Sequence, residues 1–142
     1  MRLVKHLLES KGTTVYAIAP EKPVLDAIRT MAEKYVGALL VMRGDELLGI
    51  VSERDYARKV ILLGRSSGQT SVREIMSSPV TSVTPSDSVN QCMKMMTDLR
   101  MRHLPVVENG RVVGVLSIGD LVKAVIDDQA EQLEHLQRYI AG

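Results

Sequence analysis

Two short stretches combine residue types that could do chemistry: Gly49-Ile50-Val51-Ser52-Glu53-Arg54-Asp55 and Gly114-Val115-Leu116-Ser117-Ile118-Gly119-Asp120. In each, a glycine, a serine and an aspartate follow one another at steps of three. A serine with an acid three residues later, at a helix start, forms a capping box in which each side chain satisfies a free backbone N–H. The same geometry suits a ligand. A helix start offers unpaired N–H groups and partial positive charge to an anion such as phosphate. The serine hydroxyl can donate to a phosphate oxygen. A carboxylate repels phosphate and is better matched to a pair of neighbouring hydroxyls, from which it accepts. Serine for phosphate and aspartate for a ribose diol together describe a nucleotide, with apolar Ile50 or Val115 beside the base. Capping and binding are not exclusive, and both readings stand at this point.

The elements that position these stretches are themselves repeated. A shift of 65 residues lays Pro20 on Pro85, and the match runs without a gap as far as Val60-Ile61 on Val125-Ile126. Val24 meets Val89, Met31 meets Met96, Leu39 meets Leu104, Val41 meets Val106, Gly49 meets Gly114, Ser52 meets Ser117 and Asp55 meets Asp120. Each copy reads the same way. A short strand near 14–18 or 79–83 leads into a helix whose apolar residues fall at 24, 28, 31 and 35, or at 89, 93 and 96. Two apolar runs around a polar turn then predict a hairpin, with Asn109-Gly110 the stronger turn signal. A second helix follows directly, over about 53–63 and from 118 onward. The unit is β-α-β-β-α, a mixed α/β (α+β) class.

One such unit buries too little apolar surface to be comfortable alone. Two copies packed about a pseudo-twofold axis are therefore expected. They divide the chain into residues 1–69, an N-terminal helix with the first repeat, and 70–142, the second repeat with a C-terminal helical tail. A Gly/Ser-rich connector, Gly64 to Thr70, lies at the boundary. The tail runs on through Leu133, Leu136 and Ile140.

Composition excludes several functions. The chain has 142 residues, 4 Tyr, no Phe, no Trp and a formal net charge of +1. Single-stranded nucleic acid is usually gripped by aromatic stacking and DNA by clear basic excess, and this chain has almost none of the first and only a slight surplus of the second. No run of about 18 apolar residues exists to span a membrane. The start is too polar for a secretory signal. Cys92 is the only cysteine, so no internal disulfide can form and a cytoplasmic setting is the expectation. His6, His103 and His135 share no metal-like spacing. Cys92 and the Met93, Met95, Met96 and Met101 group read as helix packing, the methionines against another module. No P-loop, dinucleotide fingerprint or nucleophile motif occurs, and the chain is expected not to be an enzyme.

The duplication, the β-α-β-β-α order and the Gly-x-x-Ser-x-x-Asp junctions resemble a tandem pair of cystathionine-β-synthase (CBS) domains, the regulatory unit called a Bateman module. Arg102-His103-Leu104-Pro105-Val106-Val107-Glu108 followed by Gly114-Val115-Leu116-Ser117 is especially typical. The resemblance covers roughly residues 10–127 and has the look of a stand-alone CBS-pair protein. It implies adenosine-containing ligands (AMP, ADP, ATP or NAD, less readily S-adenosylmethionine) in two clefts between the copies. It also implies a homodimer and a regulated partner protein. Carried over residue by residue, the first pocket joins Ile50, Ser52, Arg54 and Asp55 to Val80, Thr81, Met101, Arg102 and His103, with Arg73 as a phosphate partner. The second joins Val115, Ser117 and Asp120 to Thr14, Tyr16, Val36, Gly37 and Ala38. The first gathers Arg54, Arg73, Arg102 and His103. The second offers Gly37, Ala38 and Gly119 at the positions of Arg102, His103 and Arg54. The first is therefore expected to prefer the more phosphorylated ligand.

Overall fold

The computed structural model describes residues 2–141. Its elements run α1 (Val4–Lys11), β1 (Ala17–Ile18), α2 (Val24–Lys34), β2 (Ala38–Arg43), β3 (Glu46–Ser52) and α3 (Glu53–Tyr56). They continue with a π-helical turn (Ala57–Ile61), α4 (Val72–Ile75), α5 (Val89–Leu99), β4 (His103–Glu108), β5 (Arg111–Ser117) and α6 (Ile118–Ala141). Helices and small sheets mix in an α+β fold.

Two compact units form, and they do not follow chain order. The first is continuous, Val15–Thr81; the second combines the chain up to Thr14 with the chain from Ser82 onward. The N-terminal helix α1 thus packs with the second repeat. The connector leads into α4, which packs with the first.

In the first unit β1 lies parallel to β2, and β2 pairs antiparallel with β3. In the second, β4 and β5 form the same hairpin, and the leading strand is reduced to one parallel bridge, Val83 to Val106. That bridge sits where Ile18 pairs with Val41 in the first unit. Both hairpins shift register at the same place, between Val41 and Met42 and between Val106 and Val107. The Asn109-Gly110 turn has positive φ at both residues, which an Asn-Gly pair tolerates and a tight hairpin requires.

The cores obey the 65-residue shift. Val24, Ala27, Met31, Leu39, Val41 and Val51 fill the first core, with Val72 and Ile75 of α4. Val89, Cys92, Met96, Leu104, Val106 and Leu116 fill the second, with Val4, Leu7 and Leu8 of α1. Met93, Met95 and Met101 are partly buried and pack against this second core. Cys92 is fully buried, and burial, helped by nearby Asp87, pushes its thiol up to about 11. It is a core residue.

The helix expected over 53–63 is shorter and changes hand-hold midway. After Tyr56 the backbone widens into the π turn, with Leu62 N–H donating to Ala57 O and Arg65 N–H to Val60 O. Val60 is thereby buried while Leu62 and Leu63 remain exposed. The matching helix of the second repeat runs unbroken to Ala141. Arg2 holds it from the side through Asp128 at 2.6 Å and Glu131 at 2.8 Å. Beyond that clasp Leu133, Leu136 and Ile140 are exposed.

Candidate functional site

Each unit carries its Ser/Asp pair where a hairpin strand turns into a helix. In the first, Ser52 N–H donates to Asp55 Oδ2 at 3.0 Å and Asp55 N–H returns a bond to Ser52 Oγ at 3.2 Å. The Ser52 hydroxyl also donates to Asp55 Oδ2. In the second, Ser117 N–H donates to Asp120 Oδ2 at 2.8 Å and Asp120 N–H to Ser117 Oγ at 3.2 Å. The capping reading is therefore realised in both copies.

The same junctions are tied to the start of the preceding strand in the same unit. Glu53 N–H donates to Gly37 O at 3.0 Å, and Ile118 N–H to Arg102 O at 2.9 Å. Ala38 pairs with Ser52, and His103 with Ser117. The turn before those strands is set by a left-handed residue, Tyr35 or Arg100, closing α2 or α5. Thus Val36, Gly37 and Ala38 lie beside the Ser52/Asp55 box, and Met101, Arg102 and His103 beside the Ser117/Asp120 box. Leu40 N–H donates to Tyr16 O, which places Tyr16 on the same sheet. Of the remaining expected residues, Ile50, Arg54, Arg73, Val80 and Thr81 belong to the first unit, and Thr14 and Val115 to the second. Arg54 and Arg102 are exposed, and Arg73 reaches Glu21 at 3.5 Å. Among the described residues no three His, Cys, Asp or Glu groups gather as a metal set.

Two cations escaped the sequence reading. Lys59 Nζ lies 3.2 Å from Asp55 Oδ1 and donates to Ile75 O at 2.9 Å. Its spacing of four from Asp55 on one helix was a visible signal. Lys11, the last residue of α1, donates to Asp120 Oδ2 at 2.7 Å and to Val115 O at 2.6 Å. No local spacing announces that contact. Burial works against the Asp120 charge, but the hydrogen bond from Lys11, the Ser117 N–H and the Lys11 charge outweigh it. The carboxyl is held below its ordinary range.

A lowered folded pKa means that Asp120 stabilises the fold above its unfolded value of about 3.9, and the contribution is lost as pH falls through the folded value. Asp120→Asn should therefore flatten the loss of stability below about pH 4. Urea midpoints at pH 7 and pH 3 test this. An unaltered difference between the two pH values would refute it.

Comparison with known proteins places this geometry. The CBS-domain family model matches residues 11–61 and 72–127. A mitochondrial CBS domain-containing protein of Arabidopsis thaliana is 39% identical over 148 residues, covering 98% of this chain and 72% of that protein. The solved structure of a CBS-domain protein from Burkholderia ambifaria MC40-6 matches with TM-score 0.87 at 53% identity, covering 90% of this chain and 96% of that one. A hexameric CBS-CP12 protein from bloom-forming cyanobacteria matches with TM-score 0.77 at 26% identity, covering 98% of this chain and 86% of that one. A CBS domain pair in complex with 5′-methylthioadenosine and S-adenosyl-L-methionine shares the fold, with TM-score 0.80 at 20% identity over 90% of this chain and 98% of that one. Among the described residues no helix is long and apolar enough to cross a membrane.

Proposed function

The chain belongs to the CBS-domain family, and from that premise we propose that it is a non-enzymatic regulatory module for adenosine-containing ligands. AMP, ADP, ATP or NAD would enter clefts between the two repeats. The observation that carries the reading is the same closed Ser–Asp turn on the same strand-to-helix junction in both units. In each, a carboxylate that can accept from a ribose diol sits three residues from a hydroxyl at a helix start. That another CBS pair holds two adenosine compounds supports the ligand class.

Ile50, Ser52, Arg54, Asp55, Arg73, Val80, Thr81, Met101, Arg102 and His103 would serve the first site, which takes the more phosphorylated ligand. Val115, Ser117, Asp120, Thr14, Tyr16, Val36, Gly37 and Ala38 would serve the second. Ligand shifts the module between states, or between partners, only through different affinity for each. The module would pair as a homodimer and act on a regulated protein. Its single cysteine, Cys92, has no disulfide partner within the chain, which suits a reducing setting such as the cytoplasm.

Ligand that binds the native state raises stability, by about 2.7 kcal/mol at a hundredfold excess over Kd. Thermal melts with AMP, ATP, NAD and S-adenosylmethionine are expected to rise for at least one of them. Asp55→Ala should remove the ATP response. A response lost only with Asp120→Ala would overturn the assignment of ATP to the first site. One observation favours a second reading: both boxes are complete by their own hydrogen bonds, so Ser/Asp could serve as caps alone in an interaction module whose clefts take no ligand. Unmoved melts at millimolar ligand would decide for it.

A further inference from the structure

We infer that Lys11 competes with ligand for Asp120 and Val115, and so sets the affinity of the second repeat. The inference rests on the reading above, which gives Asp120 to a ribose diol and Val115 to the base. Its ammonium spans both groups, 2.7 Å from Asp120 Oδ2 and 2.6 Å from Val115 O. Asp120 Oδ2 also accepts the Ser117 N–H, so this oxygen is already engaged twice before a diol approaches. A nucleoside can take the carboxylate and the carbonyl only if the ammonium gives them up.

The first repeat is wired differently at the equivalent atoms. Ile50 O accepts a backbone N–H, that of Ser77, at 2.9 Å, and Ile50 N–H donates back to Ser77 O. A paired backbone does not swing away. Asp55 takes its cation from Lys59 on the same helix, and Lys59 is also held by Ile75 O. Only in the second repeat do both acceptors hang on one flexible side chain. That side chain comes from a remote segment, at the end of a helix closed by Gly12 with φ +97°. Lysine carries four rotatable bonds and a point charge, so it can leave without moving backbone. The contact makes the second repeat the one whose affinity the chain itself tunes. It also couples ligand entry there to the end of α1.

Titration calorimetry with neutral adenosine and with AMP, on the full chain, tests this. Lys11→Met should tighten adenosine binding at the second repeat about tenfold, because a site freed of its competitor no longer loses the occupied fraction. Lys11→Arg, which keeps the charge, should stay near wild type. Adding Asp120→Ala to Lys11→Met should abolish the gain. Weaker binding in Lys11→Met would make Lys11 a ligand contact and overturn the inference, as would unchanged binding. Should Lys11→Met melt far below wild type, Lys11→Gln, which removes the charge from Asp120 but keeps a donor for Val115 O, should tighten adenosine binding in the same direction and by less. Binding that Asp55→Ala reduces but Lys11→Met leaves alone sinks the inference and spares the ligand reading. Absence of binding by wild type and all variants sinks both.

Discussion

Val4→Asp is expected to loosen the second repeat well before the first. By chain order the N-terminal helix would belong to the repeat that follows it, yet Val4, Leu7 and Leu8 are 0%, 5% and 8% exposed in a core with Val83, Val89, Leu104 and Leu121. The backbone is bound there as well. Val4 N–H donates to Asp87 O, Lys5 N–H to Pro85 O, and Val89 N–H to Arg2 O. A carboxylate at position 4 would have no partner in that apolar setting. Its burial costs about 4 kcal/mol or more, a large part of the 5–15 kcal/mol typical of a domain. Hydrogen exchange read peptide by peptide checks this. Protection should fall further over 83–121 than over 18–60, and an equal fall in both would refute the assignment of α1.

The repeat was legible because it is written in the residues that fill the cores. Val24 and Val89, Met31 and Met96, Leu39 and Leu104 occupy matching buried positions, and a residue that must fit the same hole is held to the same type. The Ser/Asp boxes were legible for a similar reason, since a cap depends on residues three apart and little else. What the sequence concealed is a second register. Val4-Lys5-His6-Leu7-Leu8 matches Val72-Arg73-Glu74-Ile75-Met76 at a shift of 68 residues, not 65. The backbone bonds confirm the match: Val72 N–H donates to Lys22 O, Arg73 N–H to Pro20 O, and Val24 N–H to Thr70 O, as α1 does in the other unit. Three extra residues between α1 and Pro20 break the gapless comparison, so chain order assigns α4, just past the connector, to the second repeat and α1 to the first. Lys11 was hidden by the same change. Its partner Asp120 lies 109 residues away, and only the packing of α1 into the second unit brings them together. The shortened helix after Ser52 was illegible for another reason. Apolar spacing does not distinguish α from π backbone over a single turn.

Gly49→Ala is expected to cost about 2–4 kcal/mol, and Gly114→Ala clearly less, although the two glycines are equivalent in the repeat. Neither has positive φ, so what each provides is room. A Cβ on Gly49 would lie 2.7 Å from Met76 Sδ and 2.8 Å from Ser77 O. The thioether can swing aside. The carbonyl cannot, because Ser77 and Ile50 exchange both backbone hydrogen bonds, at 2.9 and 3.1 Å. Relief must come from parting α4 and its tail from β3, which strips Val72 and Ile75 from the first core. A Cβ on Gly114 meets Leu8 Cδ2 at 2.6 Å, the far end of a side chain that another rotamer can move. The first difference therefore comes from backbone and the second from a methyl group. Urea unfolding of the two variants measures it, and equal losses would refute the argument. Because Gly49 stands three residues before Ser52 on the same strand, a parted β3 also displaces the Ser52/Asp55 box. Gly49→Ala should then weaken any nucleotide response of the first repeat more than that of the second, whereas Gly114→Ala should leave the first untouched.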